Sequence, residues 1–141
     1  MRLAAATFVL LCMSRAAEAG TQLQLGGNYL LDGGPGLFSL TLAADTPLAD
    51  RLSVGGRFGA LVTSAPTTVG APIDLFLRAR IDRAYLEGLI GPWIFFSGDA
   101  VRGHAGIGFG LTTRSGVELG AEVGWLSFSR AMIGARLGFR I

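Results

Sequence analysis

The chain has 141 residues, half of them hydrophobic and 16% charged, with a formal net charge of +2 and a mean hydropathy of +0.51. So little charge on one domain's length excludes a disordered chain, and the 12 basic residues, all Arg and scattered, exclude the clustered positive surface of a nucleic-acid binder. One Cys and one His leave no zinc cluster and no disulfide framework to build.

Residues 1–19 read as a secretory signal peptide. Arg2 supplies a basic start, Leu3 to Met13 an apolar run, and Ala17-Glu18-Ala19 a small-x-small cleavage site before Gly20. Arg15 ends the run short of the roughly 20 apolar residues a spanning helix needs. A lipoprotein signal would use Cys12, but Leu11 stands where a small residue is required. The expected domains are therefore the signal peptide, 1–19, and one folded unit, 20–141.

Beyond Gly20 the hydropathy has period two, in eight segments of strand length. In chain order, the apolar phase runs Leu23 to Leu31, Phe38 to Ala44, Leu52 to Val62 and Ile73 to Ile81. It continues Ala84 to Ile94, Val101 to Leu111, Val117 to Trp125 and Ala131 to Ile141, and carries no charged residue. The alternate phase carries Arg51, Arg57, Asp74, Arg78, Arg80, Glu87, Arg102, Glu118, Glu122, Arg136 and Arg140, together with His104. A helix, turning about 100° per residue, would scramble these two sets, so the segments are strands.

Alternation alone permits a soluble barrel with its apolar face inside, or a membrane barrel with that face outside. Glycine favours the second. Most strand glycines fall in the polar phase, among them Gly106, Gly108, Gly110, Gly120 and Gly124. On a solvated face they would only weaken the strands. Inside a narrow barrel they make room for long charged side chains. The reading is all-β: an eight-stranded antiparallel up-and-down transmembrane barrel in a Gram-negative outer membrane.

With the N-terminus in the periplasm, the expected outer loops are Asp32 to Gly36, Ser64 to Ala71, Phe96 to Ala100 and Ser127 to Arg130. The expected periplasmic turns are Asp45 to Asp50, Asp82-Arg83 and Thr113 to Gly116. Tyr29, Phe38, Trp93, Phe95, Phe96, Trp125 and Phe128 gather near the outer rim, and Phe109 and Phe139 near the other, as aromatic girdles would. Val54 and Ile107 are expected to face lipid near mid-depth.

On these features the chain resembles the small eight-stranded outer-membrane barrels of the OmpA/OmpX and opacity-protein type, over residues 20–141. Asp45-Thr46-Pro47-Leu48-Ala49-Asp50-Arg51-Leu52-Ser53-Val54-Gly55-Gly56 is similar to the periplasmic turn and third strand of that group. Leu137-Gly138-Phe139-Arg140-Ile141 resembles its C-terminal insertion signal, closing on Ile141 rather than an aromatic residue. The resemblance implies outer-membrane lipid as surroundings, with the barrel assembly machinery and periplasmic chaperones as partners in biogenesis. A monomer with no cofactor and no metal is expected.

An eight-stranded barrel is just wide enough inside for side chains to fill it. The inward charges are expected to pair into a lumen network of Arg57, Asp74, Arg78, Arg80, Glu87, Arg102, His104, Glu118, Glu122, Arg136 and Arg140, because unpaired buried charge is costly. Glu118 and Glu122 would anchor it, paired with Arg136 and Arg140 on the next strand and Arg102 on the strand before. The competing reading is a small polar channel. A lipid-modifying enzyme would need a Ser and an acid around His104 reachable from lipid, and no Ser lies two residues from it. Gly103 to Gly108 superficially suggests a phosphate loop but lacks the following helix. A non-enzymatic barrel with a structural or surface-interaction role is the preferred reading.

Overall fold

The computed structural model describes residues 20–141, so the expected signal peptide lies outside the described residues. The strands are β1 (Gly20–Leu30), β2 (Gly36–Ala49), β3 (Leu52–Ser64), β4 (Thr67–Ile81), β5 (Ala84–Phe95), β6 (Val101–Thr112), β7 (Val117–Leu126) and β8 (Arg130–Arg140). Each pairs antiparallel with its chain neighbour. Pairing of β1 with β8, from Gln22 opposite Arg140 to Leu30 opposite Met132, closes the barrel. Closure leaves no free sheet edge, as hydrocarbon requires.

The two faces divide as the alternation dictates. Leu75, Ile90, Phe58 and Ile107 project outward with 66%, 58%, 60% and 52% of their surface uncovered. Similarly exposed large apolar residues stand on every strand. A continuous apolar belt of this extent belongs in lipid rather than water. Strands of 10 to 15 residues match or exceed the roughly 9–11 needed to cross a bilayer at a tilt.

Four expectations about position are corrected. β2 runs on through Ala49, with a register irregularity between Pro47 and Ala49, so the turn before β3 is only Asp50-Arg51. Asp45, read as the start of that turn, is a buried strand residue, and Arg51 lies in the turn, exposed. The Asp-Thr-Pro chemistry that signals a turn is here absorbed by the irregular strand end. The connection between β3 and β4 narrows from Ser64–Ala71 to Ala65-Pro66, because Thr63 Oγ1 donates to the Pro66 carbonyl at 2.6 Å and accepts from the Thr68 amide at 3.1 Å. Val54, the third residue of β3, lies toward the end carrying the termini rather than at mid-depth.

Trp93 and Phe95 are the fourth correction. Their neighbours Ile90, Pro92 and Ile94 share the outward phase, so both rings turn inward, 2% and 3% exposed. They line the lumen and are not girdle residues. Tyr29, Phe38, Trp125, Phe128 and Phe139 are outside the barrel interior, Phe128 on a turn with φ 55°.

Candidate functional site

The candidate site is the lumen. Its filling changes along the axis, beginning at the end that carries Gly20 and Ile141. There Arg80 of β4 reaches Asp45 of β2 at 3.3 Å and lies 4.0 Å from Glu118 of β7. One step deeper, Arg78 of β4 bridges Glu87 of β5 at 2.7 Å and Glu118 at 3.1 Å. Its guanidinium also stacks over the Tyr85 ring, 4.5 Å from the centroid. Arg136 of β8 binds Glu87 and lies 3.5 Å from Glu122 of β7, joining this layer to the next.

In that next layer Arg57 of β3 spans Asp74 of β4 at 2.8 Å and Glu122 at 3.0 Å. His104 of β6 is wedged between the same two carboxylates. Its Nδ1 lies 2.7 Å from Asp74 Oδ1. Its Nε2 lies 3.1 Å from Glu122 Oε1, without good hydrogen-bond alignment. Trp93 donates its indole N–H to Asp74, 3.1 Å from Oδ2, and stacks on the His104 ring with centroids 4.4 Å apart. Asp74 and His104 are both 1% exposed or less. Five carboxylates (Asp45, Asp74, Glu87, Glu118, Glu122) thus meet four guanidiniums and one imidazole.

Space for this cluster comes from glycine. A Cβ on Gly108 would sit 2.8 Å from both Arg136 Nη2 and Glu87 Oε1, and one on Gly110 would sit 2.7 Å from the Tyr85 hydroxyl. Beyond Trp93 the filling becomes mainly apolar. Leu30, Leu37, Leu61, Phe95, Leu126 and Met132, all 3% exposed or less, pack with Trp93 into an apolar plug across the far half of the lumen.

Of the network residues expected from sequence, Arg57, Asp74, Arg78, Arg80, Glu87, His104, Glu118, Glu122 and Arg136 come together. Arg102 and Arg140 do not. Arg102 is at the far rim with its guanidinium 4.7 Å above the Phe95 ring, and Arg140 is exposed at the opposite end. Among the described residues neither forms an ion pair. In place of the expected network with Arg136, Arg140 and Arg102 on the neighbouring strands, Glu118 meets Arg78 and Arg80 of β4, from across the lumen. Asp45 and Trp93 were missed. Continued alternation through Ala43 and Asp45, and the inward phase of Trp93, were the signals that could have found them.

Outside the lumen, Arg130 grips Asp32 through Nε at 2.6 Å and Nη2 at 3.1 Å, tying the loop after β1 to the start of β8. The hydrogen bonds from Arg130 hold the exposed Asp32 carboxyl below its usual value.

No family model and no curated protein matches the chain. Its fold is shared by solved barrels. A de novo designed transmembrane β-barrel superposes with a TM-score of 0.67 at 10% identity, over 86% of this chain and 95% of that one. A second designed barrel, solved by solution NMR, gives 0.58 at 17% identity over 87% and 94%. The Yersinia pestis outer membrane protein Ail, determined in a phospholipid bilayer nanodisc, gives 0.57 at 14% identity over 87% and 99%. At such identities the likeness is one of fold: a transmembrane eight-stranded barrel of the outer-membrane kind.

Proposed function

We propose that the chain is a non-enzymatic outer-membrane barrel whose role is structural or surface-interacting, and whose lumen is closed to solutes. The observation that carries this reading is the double filling of the lumen: paired charges in one half, a packed apolar plug in the other. A conducting pathway would have to break both. Against catalysis stands the seat of His104, whose two nitrogens face Asp74 and Glu122 and whose ring is covered by Trp93. A general base needs hydrogen-bond access to a substrate proton. We place the chain in a Gram-negative outer membrane with both termini in the periplasm, delivered by residues 1–19 and inserted by the barrel assembly machinery as a monomer.

Planar-bilayer recording tests the central claim. The wild-type protein should show no steady conductance, and openings on the nanosiemens scale would replace the plug with a pore. Mass spectrometry of the outer-membrane fraction should find a mature N-terminus at Gly20 or within a residue or two of it; a retained Met1 would remove the signal peptide from the reading.

A further inference from the structure

Above the apolar plug, the mouth opposite the termini holds a cavity of about 460 Å³, within the range of small-molecule pockets. Phe95 forms its floor and Pro35 and Pro66 part of its wall. Thr68 and Ser97 bring hydroxyls, and Arg102 and Arg130 bring guanidiniums. These groups come from the loops after β1, β3 and β5, from the end of β5 and from the starts of β4, β6 and β8, so the cavity is assembled from most of the barrel rim.

The two cations are held differently. Asp32 occupies Nε and Nη2 of Arg130 and leaves Nη1 outside that pairing. Arg102 holds its guanidinium over the Phe95 ring and meets no carboxylate among the described residues. Asp99, in the neighbouring loop, does not line the cavity. The pair Arg130–Asp32 is close to neutral, so Arg102 leaves the cavity with an uncompensated positive charge. A guanidinium is a planar fork of N–H donors suited to carboxylate or phosphate.

We propose that this cavity binds the phosphate monoester of a small polyol or sugar. Arg102 and the Nη1 of Arg130 offer N–H donors that three terminal phosphate oxygens accept more fully than a carboxylate's two, while the Thr68 hydroxyl donates to the Pro66 carbonyl and the Ser97 hydroxyl to Thr68. Pro35 and Pro66 offer apolar surface to the carbon face of the ligand. Phosphate esters also occur on lipid headgroups. Thr63, Phe95 and Arg102 are inward in strand phase, so the cavity opens along the barrel axis, away from surrounding lipid, and a soluble ester is the source inferred. The site lies above the plug and does not depend on whether the lumen conducts.

The test titrates glucose 6-phosphate, inorganic phosphate and glucose into the protein folded in zwitterionic nanodiscs, read by calorimetry and by amide shifts in NMR. Glucose 6-phosphate should bind one-to-one and saturably, inorganic phosphate should compete with it, and glucose should not bind. Shifts should centre on Gly98 and Arg102. Arg102→Gln should weaken binding at least tenfold and Arg102→Lys severalfold, since the charge remains but the fork is lost. Arg83→Gln, in the turn at the opposite end, should leave affinity unchanged. Should Arg102→Gln fail to fold, the wild-type shift map and Arg102→Lys still decide. Non-saturable binding, shifts centred elsewhere, or full affinity in the Arg102 variants would overturn the site. Nanodiscs containing phosphatidic acid form the last arm: displacement of glucose 6-phosphate by that lipid would overturn the soluble source.

Discussion

Toward the termini the inward positions of the barrel hold Arg78, Glu87, Glu118, Arg57, Asp74 and Glu122; toward the far end the same pleat phase holds Leu30, Leu37, Leu61, Leu126 and Met132. Both halves fill the space inside the same wall of strands. They differ in how each side chain depends on its neighbours. An apolar side chain needs only volume and contact, so its loss is felt in proportion to the space it leaves. A buried guanidinium needs named partners at defined distances, so the loss of one carboxylate strands every group it served. The charged half is therefore the more specific and the more brittle, and Trp93 is the hinge of chemistry between the two, apolar against Leu61 and its neighbours and polar toward Asp74.

The largest effect that could break this contrast is expected at Glu122, which faces Arg57, His104 and Arg136 together. Glu122→Gln should lower unfolding stability in lipid vesicles by about 3–5 kcal/mol, the usual cost of breaking one partner out of a buried pair. A urea midpoint equal to wild type would mean that the charges are individually hydrated after all. In the other half, Leu126→Ala removes a fully buried side chain and should cost about 2–5 kcal/mol. Either variant alone should stay closed in planar bilayers, because the two fillings lie in series. Conductance is expected only when Glu122→Gln is combined with a truncation of the plug such as Trp93→Ala, and current through a single variant would show that one half seals nothing.

The outer face gives the next step down. Leu75→Arg, at the centre of β4, should cost roughly 2–4 kcal/mol at bilayer mid-depth, while Ser53→Ala, inward beside the irregular end of β2, should cost far less by the same urea titration. Smallest is the Asp32–Arg130 clasp. Folding holds the Asp32 carboxyl below its usual value, so whatever the clasp contributes is complete above the unfolded-state pKa and fades as pH falls through the folded one. Because the pair is exposed and screened, Asp32→Asn should leave the urea midpoint unmoved, and NMR titration of the Asp32 carboxyl should report the lowered value directly.

How much of this was legible beforehand follows from the reach of each interaction. Strand count, antiparallel order and the lipid-facing set are local, since period-two alternation writes them into neighbouring residues. Trp93 and Phe95 were misplaced because their nearness to a cluster of aromatics outweighed their own phase, which points inward. Asp45 was lost because Asp-Thr-Pro carries turn chemistry even where an irregular strand end uses it. The pairing of the charges was least legible. Strand neighbours can be read from order, but Arg78 with Glu118 and Arg57 with Glu122 join walls far apart in the ring. The mouth cavity gathers residues from five strands and three loops, and no linear pattern marks it.

The reach of Arg57 has a further consequence. In a ring of eight strands, β3 and β7 stand four apart in either direction, so Arg57 and Glu122 face each other across a full diameter. On a flat or half-curled sheet they could not meet, and each would look for water that the bilayer interior lacks. Partial opening of the seam between β1 and β8 would widen the ring and part them again. The span between Arg57 and Glu122 acts as a tie-rod across the vault: the wall is either shut around its charges or comes fully apart, and no stable slit is left through which a lipid tail could slip inside.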